Sequence, residues 1–92
     1  MAGKALIKAR ITVYPRPEIL DPQGKAITGA LARLGFDRVV DVRVGKSFEI
    51  VLEKGRKSVK SIEKELDQMC EKLLANTLIE DFRVELLDGA ST

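Results

Sequence analysis

The sequence predicts a two-layer α+β fold of the order βαββαβ, with a four-stranded antiparallel sheet and two helices packed on one of its faces. Four segments alternate apolar and polar side chains with the period of two that is typical of half-buried strands. Two other segments place apolar residues every three or four positions, as amphipathic helices do. Because each helix has one apolar stripe, both helices are expected to cover the same face of the sheet.

The first strand is predicted over residues 4–14. Its core face consists of alternate small and branched side chains: Ala5, Ile7, Ala9, Ile11 and Val13. Pro15 and Pro17 follow, and neither can donate a backbone N–H to a neighbouring strand. The strand is therefore expected to end at the first of these prolines.

The first helix is predicted to begin at Asp21 and to end before Gly35. Asp21 suits the N-cap position and Pro22 the first helical position. The apolar stripe follows at helical spacing: Ile27, Ala30, Leu31 and Leu34. Gly24 and Gly29 are unusual inside a helix, and either close backbone approach or a position that tolerates change would explain each of them.

Residues 39–53 are predicted to form two strands joined by a three-residue loop, Gly45-Lys46-Ser47. This loop sets Val42 opposite Ile50 on the core face and Arg43 opposite Glu49 as a cross-strand ion pair. The competing interpretation is one continuous strand. At roughly 3.3 Å per residue that strand would span about 50 Å, which is long for so small a domain. The hairpin is therefore favoured.

A second helix is predicted from about Ser58, and a left-handed Asn76 is expected to end it. Its apolar stripe consists of Val59, Ile62, Leu66, Met69, Cys70 and Leu73. The last strand is predicted over 78–87, and residues 88–92 are expected to fray. The whole chain, 1–92, is thus predicted to be one domain with an ordered core of about 4–87.

Composition excludes several classes of function. The chain of 92 residues carries a net charge of +2 and contains no histidine. It therefore has no Ser-His or Cys-His nucleophile pair and no histidine-containing zinc site. The small net charge argues against binding to nucleic acid or to a membrane surface, and no signal peptide or membrane-spanning run is apparent. A cytoplasmic location is expected.

The residues that could carry chemistry have simpler structural explanations. Cys70 is the single cysteine and lies in the apolar stripe of the second helix, so we expect a buried structural thiol. The carboxylates of this helix alternate with lysines, as in surface ion pairs. Gly45-Lys46-Ser47 lacks the upstream glycine of a phosphate-binding loop. No catalytic set and no metal site are predicted.

The outer face of the predicted sheet is not uniformly polar. Several apolar or aromatic residues lie off the core parity: Leu6, Tyr14, Val39, Val51, Ile79 and Leu87. Apolar patches of this kind on a small domain often mark subunit contacts. The residues alone therefore predict a small α+β module that interacts with other subunits.

Three segments resemble one known family. They are residues 19–26 (Ile-Leu-Asp-Pro-Gln-Gly-Lys-Ala), 40–46 (Val-Asp-Val-Arg-Val-Gly-Lys) and 70–82, which contains Leu-Leu-Ala-Asn. In order and spacing they are similar to the PurS family, the small subunit of phosphoribosylformylglycinamidine (FGAM) synthase in purine biosynthesis. The resemblance extends over nearly the whole chain, from residue 5 to residue 85.

The resemblance implies a ferredoxin-like, PurS-like fold and a subunit with no catalytic residues of its own. In that family a glutaminase subunit, PurQ, releases ammonia, and a synthetase subunit, PurL, uses the ammonia and ATP to form the amidine. PurS-like chains form a homodimer or homotetramer that helps the two enzymes to assemble and to transfer ammonia. The complex uses ATP, Mg and glutamine, and no cofactor is expected on this chain alone.

The resemblance also implies a set of partner-binding residues. They lie at the first helix start, at the hairpin end and at the corner before the last strand: Asp21, Gln23, Gly24, Arg43, Lys46, Asn76, Ile79 and Glu80. For Asp21 as N-cap, Gly45 in the hairpin loop and Asn76 as C-cap, the structural explanation is favoured over partner contact. Gln23, Arg43, Lys46 and Glu80 have no such structural obligation and are better candidates.

Two other classes of function remain open at this point. A sensor with the same split βαβ topology would bind a small metabolite between protomers. An RNA-binding module would use basic residues with stacking aromatics on the sheet. Of the aromatic residues in the predicted strands, Phe48 and Phe82 belong to the core face and only Tyr14 lies outside it, so the RNA-binding alternative is the weaker of the two.

Overall fold

In a computed structural model, the structure of residues 5–87 is described. The chain forms three strands and two α-helices, and the second helix continues into one π-helical turn. In chain order these are β1 (Leu6–Pro15), α1 (Pro22–Arg33), β2 (Lys46–Glu53), α2 (Val59–Met69), the π turn (Cys70–Leu74) and β3 (Glu80–Leu87). The predicted frayed tail, 88–92, and the predicted strand residue Lys4 lie outside the described residues.

The three strands form one antiparallel sheet in the order β2-β1-β3. β1 is central because its alternating small and branched side chains can be buried between two neighbours. In the registers of the two pairings, Ile11 lies opposite Phe48 on one side and opposite Val84 on the other. The predicted core face of this strand is confirmed from Ile7 to Val13, because Ala9, Ile11 and Val13 are fully or almost fully buried. The predicted core residue Ala5 is exposed and precedes the strand.

α2 supplies the second layer of the core. Its N-cap is Ser58, whose Oγ accepts the Ser61 N–H at 3.1 Å, so the predicted start is confirmed. Ile62, Leu66 and Cys70 are fully buried against the sheet. The predicted two-layer α+β fold, with an antiparallel sheet and two helices, is confirmed.

The predicted hairpin is wrong for this chain. Residues 39–45 form no strand, and the chain runs straight from Gly45 into β2, where Lys46 pairs with Val13 and Ser47 with Thr12. The predicted ion pair between Arg43 and Glu49 is absent as well, because Glu49 pairs with Arg10 across β1. The described sheet thus has three strands, and residues 39–45 prolong β2 instead of folding back on it.

α1 has the predicted ends but lies away from the sheet. Asp21 is the N-cap, and Gly35 follows the helix with a φ of +100°, a conformation that glycine adopts without strain. Gly24 is the only buried residue of this helix. The other predicted stripe residues are half-exposed or exposed, and Leu34 is 72% exposed. Of the helices in the described part of the chain, only α2 therefore covers the core face of the sheet.

The end of the second helix differs from its prediction. The π turn Cys70–Leu74 contains more residues per turn than an α-helix, and this rotates the side chains that follow it. Leu74 packs against the core, whereas the predicted stripe residue Leu73 is 83% exposed. Asn76 does not adopt the predicted left-handed conformation, since no described residue other than glycine has a positive φ.

The outer face of the sheet is partly apolar, as predicted. Leu6, Val51 and Leu87 lie on it at one end, around the pairings of Lys8 with Val51 and Leu87. Val39 lies outside the sheet and Ile79 lies in the turn before β3, so neither belongs to this face. At the centre, Arg10 forms ion pairs with two carboxylates, at 3.6 Å from Glu49 and 3.9 Å from Glu85.

Candidate interaction surface

The predicted contact residues meet where β1 ends, and Arg43 is at the centre of them. Its guanidinium donates to the carbonyl oxygens of Pro15 (3.3 Å), Arg16 and Ile19 (3.5 Å). Residues 17–18 form a turn in which the Ile19 N–H donates to the Arg16 carbonyl at 3.0 Å, and this turn brings the three carbonyl groups within reach of one side chain from residues 39–45. Arg43 thereby joins two segments that are far apart in the sequence.

Asp21 makes a second connection between the same segments. One carboxylate oxygen accepts the Gly24 N–H at 3.0 Å and caps α1, and the other accepts the Val44 N–H at 2.8 Å. The N–H groups of Val44 and Gly24 and the nearby charge of Arg43 lower the pKa of the Asp21 carboxyl below its usual value. The ionised carboxylate is thus the form that the folded chain favours.

Acidification should therefore loosen this connection. Because the pKa of Asp21 is lower in the folded chain than in the unfolded chain, its contribution to stability is present above the usual value of 3.8 and is lost as pH falls through the folded value. We expect Asp21→Asn to lower the melting temperature at pH 7 and to flatten its decline as the pH falls below 3.8. Thermal unfolding at a series of pH values measures both effects, and parallel curves for the two proteins would contradict the assignment.

Gly24 allows α1 to approach residues 39–45 closely. A Cβ at this position would collide with the carbonyl oxygen of Val42 and would lie 2.7 Å from the Asp21 carboxylate. Close backbone approach is therefore the explanation of Gly24. Gly29 has no such constraint, since the nearest atom to a Cβ there is an Arg33 side-chain nitrogen at 3.6 Å.

Arg16 connects the corner before β3 to the loop that follows β1. The Arg16 guanidinium donates to the Thr77 carbonyl at 2.7 Å, and its backbone N–H donates to the Ile79 carbonyl at 2.9 Å. Within the corner, the Glu80 carboxylate accepts the Asn76 N–H at 2.8 Å. Asn76 thus holds a turn, although not by the predicted left-handed conformation.

We call this region the junction surface and define it by residues from four parts of the chain: Arg16, Asp21, Arg43, Lys46, Ile79 and Glu80. Three depressions of about 310, 430 and 510 Å³ lie on it, and Arg43 belongs to the wall of each. Charges of both signs surround them, including Asp41, Arg83 and Asp81. Exposed charges of both signs around shallow depressions can orient a partner protein that carries complementary charges.

The predicted contact residues have different roles within this region. Contrary to expectation, Arg43 and Glu80 do have structural obligations, because each bonds to the backbone. Gln23 and Lys46 are exposed, and their side chains form no hydrogen bond or ion pair within the described residues 5–87. Sequence reasoning missed Arg16, for which the available signal was an arginine fixed between two prolines.

Within residues 5–87, no group of three or more acidic, histidine or cysteine side chains could hold a metal ion. Cys70 is buried, as predicted, and desolvation, with Asp67 and Glu71 nearby, raises the pKa of its thiol. In the same part of the chain, no helix is long and apolar enough to cross a membrane.

A sequence model of the family described as "PurS: Phosphoribosylformylglycinamidine (FGAM) synthase" matches residues 8–88. The chain belongs to the PurS family. It is 46% identical over 85 residues to the PurS subunit of Synechocystis, covering 90% of this chain and 83% of that relative. It is 43% identical over 81 residues to the Bacillus subtilis PurS subunit, covering 88% and 93%.

Solved PurS structures share the fold. The B. subtilis PurS crystal structure, at 43% identity, covers 89% of this chain and 99% of its own with a TM-score of 0.74. A chain in the structure of PurLQS from Thermotoga maritima, at 29% identity, covers 90% and 99% with a TM-score of 0.80. The family that the three sequence segments indicated is therefore confirmed.

Proposed function

We propose that this chain is the PurS subunit of FGAM synthase and that it promotes assembly of the glutaminase subunit, PurQ, with the ATP-dependent synthetase subunit, PurL. The observation that carries the proposal is the likeness to the PurLQS structure, which extends over 99% of the matching chain there. A chain that has the length and fold of that subunit has the shape needed to take the same place in a complex.

The geometry supports an assembly role over a catalytic one. The junction surface displays the exposed side chain of Lys46 on a backbone that Asp21 and Arg43 hold in place. Preorganised surfaces of this kind bind partners with little loss of conformational freedom. In this proposal the other subunits catalyse the reaction. The complex would use ATP, Mg and glutamine, and this chain alone would bind none of them. A cytoplasmic location is part of the proposal.

The test is amidine formation by purified PurL and PurQ from the same source, with and without this chain. We expect the chain to be required when glutamine is the nitrogen donor and to be dispensable when ammonium is supplied, because only glutamine needs transfer of ammonia between two subunits. Equal rates with and without the chain, under both donors, would contradict the proposal.

The junction surface can be tested in the same assay with Lys46→Ala. Because the Lys46 side chain has no partner among residues 5–87, its loss should leave the melting temperature nearly unchanged and lower the glutamine-dependent rate several-fold. Lys64→Ala, a substitution of an exposed lysine on α2, is the matched control. Light scattering should show the same oligomeric state for both variants, and equal activities would remove Lys46 from the contact.

The comparisons give no support to the small-molecule sensor. A sensor would show a rise in melting temperature with a nucleotide or an amino acid in the absence of PurL and PurQ. We expect no such rise, and a stabilisation at micromolar ligand would reopen that alternative.

A further inference from the structure

One of the three depressions on the junction surface has basic residues in its wall and no acidic ones. This depression, of about 430 Å³, lies on the outer face of the sheet, and we call it the cationic depression. Its wall includes three basic residues and three residues with a hydroxyl group: Arg43, Lys46, Arg83, Thr12, Tyr14 and Ser47. The two neighbouring depressions differ from it, because Asp41 lines both of them. The charge of the wall therefore favours an anionic ligand.

Arg83 has a charge that no other residue of the described chain neutralises. Two carboxylates share its face of β3, two residues before it and two residues after it, but each is paired with another arginine. Asp81 lies 3.9 Å from Arg16, and Glu85 lies 3.9 Å from Arg10. The Arg83 side chain itself forms no hydrogen bond or ion pair within residues 5–87. Its guanidinium is therefore available to a ligand.

Arg43 contributes a second guanidinium, which is already fixed in position. Three of its five N–H groups donate to the carbonyl oxygens of residues 15, 16 and 19, and this leaves two donors and the positive charge. The carboxylate of Asp21 is near this charge but lines a different depression. Because backbone bonds hold the Arg43 side chain, a ligand would bind to it with little loss of conformational freedom.

The hydroxyl groups lie on the same face of the sheet as Arg83. Thr12 is opposite Ser47 on one side and opposite Arg83 on the other, and neighbouring strands are about 4.8 Å apart. Tyr14 follows two residues further along β1 and therefore shares this face. Hydroxyl groups can donate to an anionic oxygen and can accept from another hydroxyl group. The depression thus offers neutral donors and acceptors beside its charges.

We propose that the cationic depression binds the phosphate group of a small phosphorylated sugar. A phosphate ester has three free oxygens and carries roughly 1.5–2 negative charges near neutral pH. Such a group can accept bonds from Arg83, from Arg43 and from the hydroxyl groups at the same time, whereas a carboxylate has two oxygens in one plane and a single charge. The volume lies within the range of about 300–1,000 Å³ that is usual for small-molecule sites, so it leaves room for a sugar beside the phosphate.

The proposed binding is weak and does not depend on the role of the chain in FGAM synthase. Two charge-assisted arginine contacts at exposed positions support a dissociation constant of about 1 mM. Micromolar concentrations of a phosphorylated ligand would therefore leave the melting temperature unchanged, as expected above for a chain that is not a sensor. The site can be examined with the chain alone, so its failure and the failure of the assembly role are distinguishable.

A titration followed by nuclear magnetic resonance tests the site. Inorganic phosphate and ribose 5-phosphate are added separately to the isotope-labelled chain at constant pH and ionic strength. We expect saturable shifts of backbone amide signals around Thr12, Ser47 and Arg83, with a dissociation constant of about 1 mM for each ligand. Acetate should bind about 10-fold more weakly, and ribose, which has no phosphate, should cause no saturable shift.

Substitutions of Arg83 test the geometry. Arg83→Ala should weaken the binding of both phosphate ligands about 10-fold and leave the melting temperature nearly unchanged, since this side chain has no partner among residues 5–87. Arg83→Lys should retain part of the affinity, because lysine keeps the charge but not the paired donors of a guanidinium. Arg56→Ala is the matched control. It removes an exposed arginine just beyond the opposite end of β2 and should bind phosphate as the wild type does.

Four results would overturn the proposal. The absence of a saturable shift with phosphate would show that there is no site, and an unchanged affinity of Arg83→Ala would place the anion elsewhere. Equal weakening by Arg56→Ala would indicate a general effect of positive charge. Binding of acetate as tight as that of phosphate, or of phosphate but not ribose 5-phosphate, would exclude a phosphorylated sugar as the ligand and favour a carboxylate of a partner protein or a free inorganic anion, respectively.

Discussion

Gly24→Ala is expected to destabilise the chain by about 2–3 kcal/mol, although alanine is the better helix former. The added methyl group would collide with the Val42 carbonyl oxygen, which belongs to the backbone and cannot move aside without displacing residues 39–45. The shift would also disturb the Asp21 carboxylate that caps α1 and holds Val44. Thermal unfolding followed by circular dichroism should show a lower melting temperature and lost helicity before the main transition.

Gly29→Ala is the control in the same helix. Its methyl group would meet only the end of the Arg33 side chain at 3.6 Å, so the variant should be unchanged or gain up to about 1 kcal/mol. Both proteins should be compared at one concentration, because an oligomer's stability depends on it. Equal melting temperatures for the two variants would show that α1 does not rest on Val42.

Leu66→Ala is expected to cost about 2–5 kcal/mol. Leu66 is fully buried, and among residues 5–87 α2 is the only helix on the core face of the sheet, so no neighbouring helix of this part of the chain can move in to fill the cavity. A domain of this length has a free energy of unfolding of roughly 5–14 kcal/mol, and the loss is therefore a large fraction of it.

Urea denaturation should show this loss as a lower urea concentration at the midpoint of unfolding. The control is the same substitution at an exposed leucine. Leu78→Ala removes the same atoms from a side chain that is 85% exposed, and its free energy of unfolding should stay within about 0.5 kcal/mol of the wild type. A small effect of Leu66→Ala would mean that the sheet is held together by something other than α2.

Alternation of apolar and polar residues predicts the buried face of a strand better than it predicts how strands are connected. The alternation in β1 identified its buried face correctly, because a central strand must bury every second side chain. Residues 39–53 alternate just as clearly, but a hairpin and a straight extension place the same apolar residues on one face, so alternation does not distinguish them. The choice between them rested on length, and the molecule is indeed longer, at 54 Å, than the rejected strand of about 50 Å.

The misplaced helix residues have local causes that periodicity does not contain. Leu74 packs against the core in place of the predicted Leu73, because the wider π turn rotates the side chains that follow it about the helix axis. Gly24 and Gly29 looked alike in the sequence. They differ only in their neighbours. Gly24 faces the backbone of residue 42, which is distant in the sequence, whereas Gly29 faces a side chain of its own helix.

The candidate site was predicted as three separate clusters, and the structure joins them. The connecting atoms are backbone carbonyl groups of residues 15–19, which have no sequence signature, and this is why Arg43 was expected to be free of structural bonds. The family, in contrast, could be identified from sequence because its motifs include the caps and turns that hold this region, such as Asp21 and Asn76.

The position of Cys70 has one more consequence. It is the single thiol of the chain, it lies fully buried between sheet and helix, and burial keeps it in the unreactive protonated form. A thiol reagent can therefore reach it only when α2 lifts from β1. The rate at which a thiol reagent alkylates Cys70 therefore reports how often the helix and the sheet separate. No engineered label is needed for this measurement.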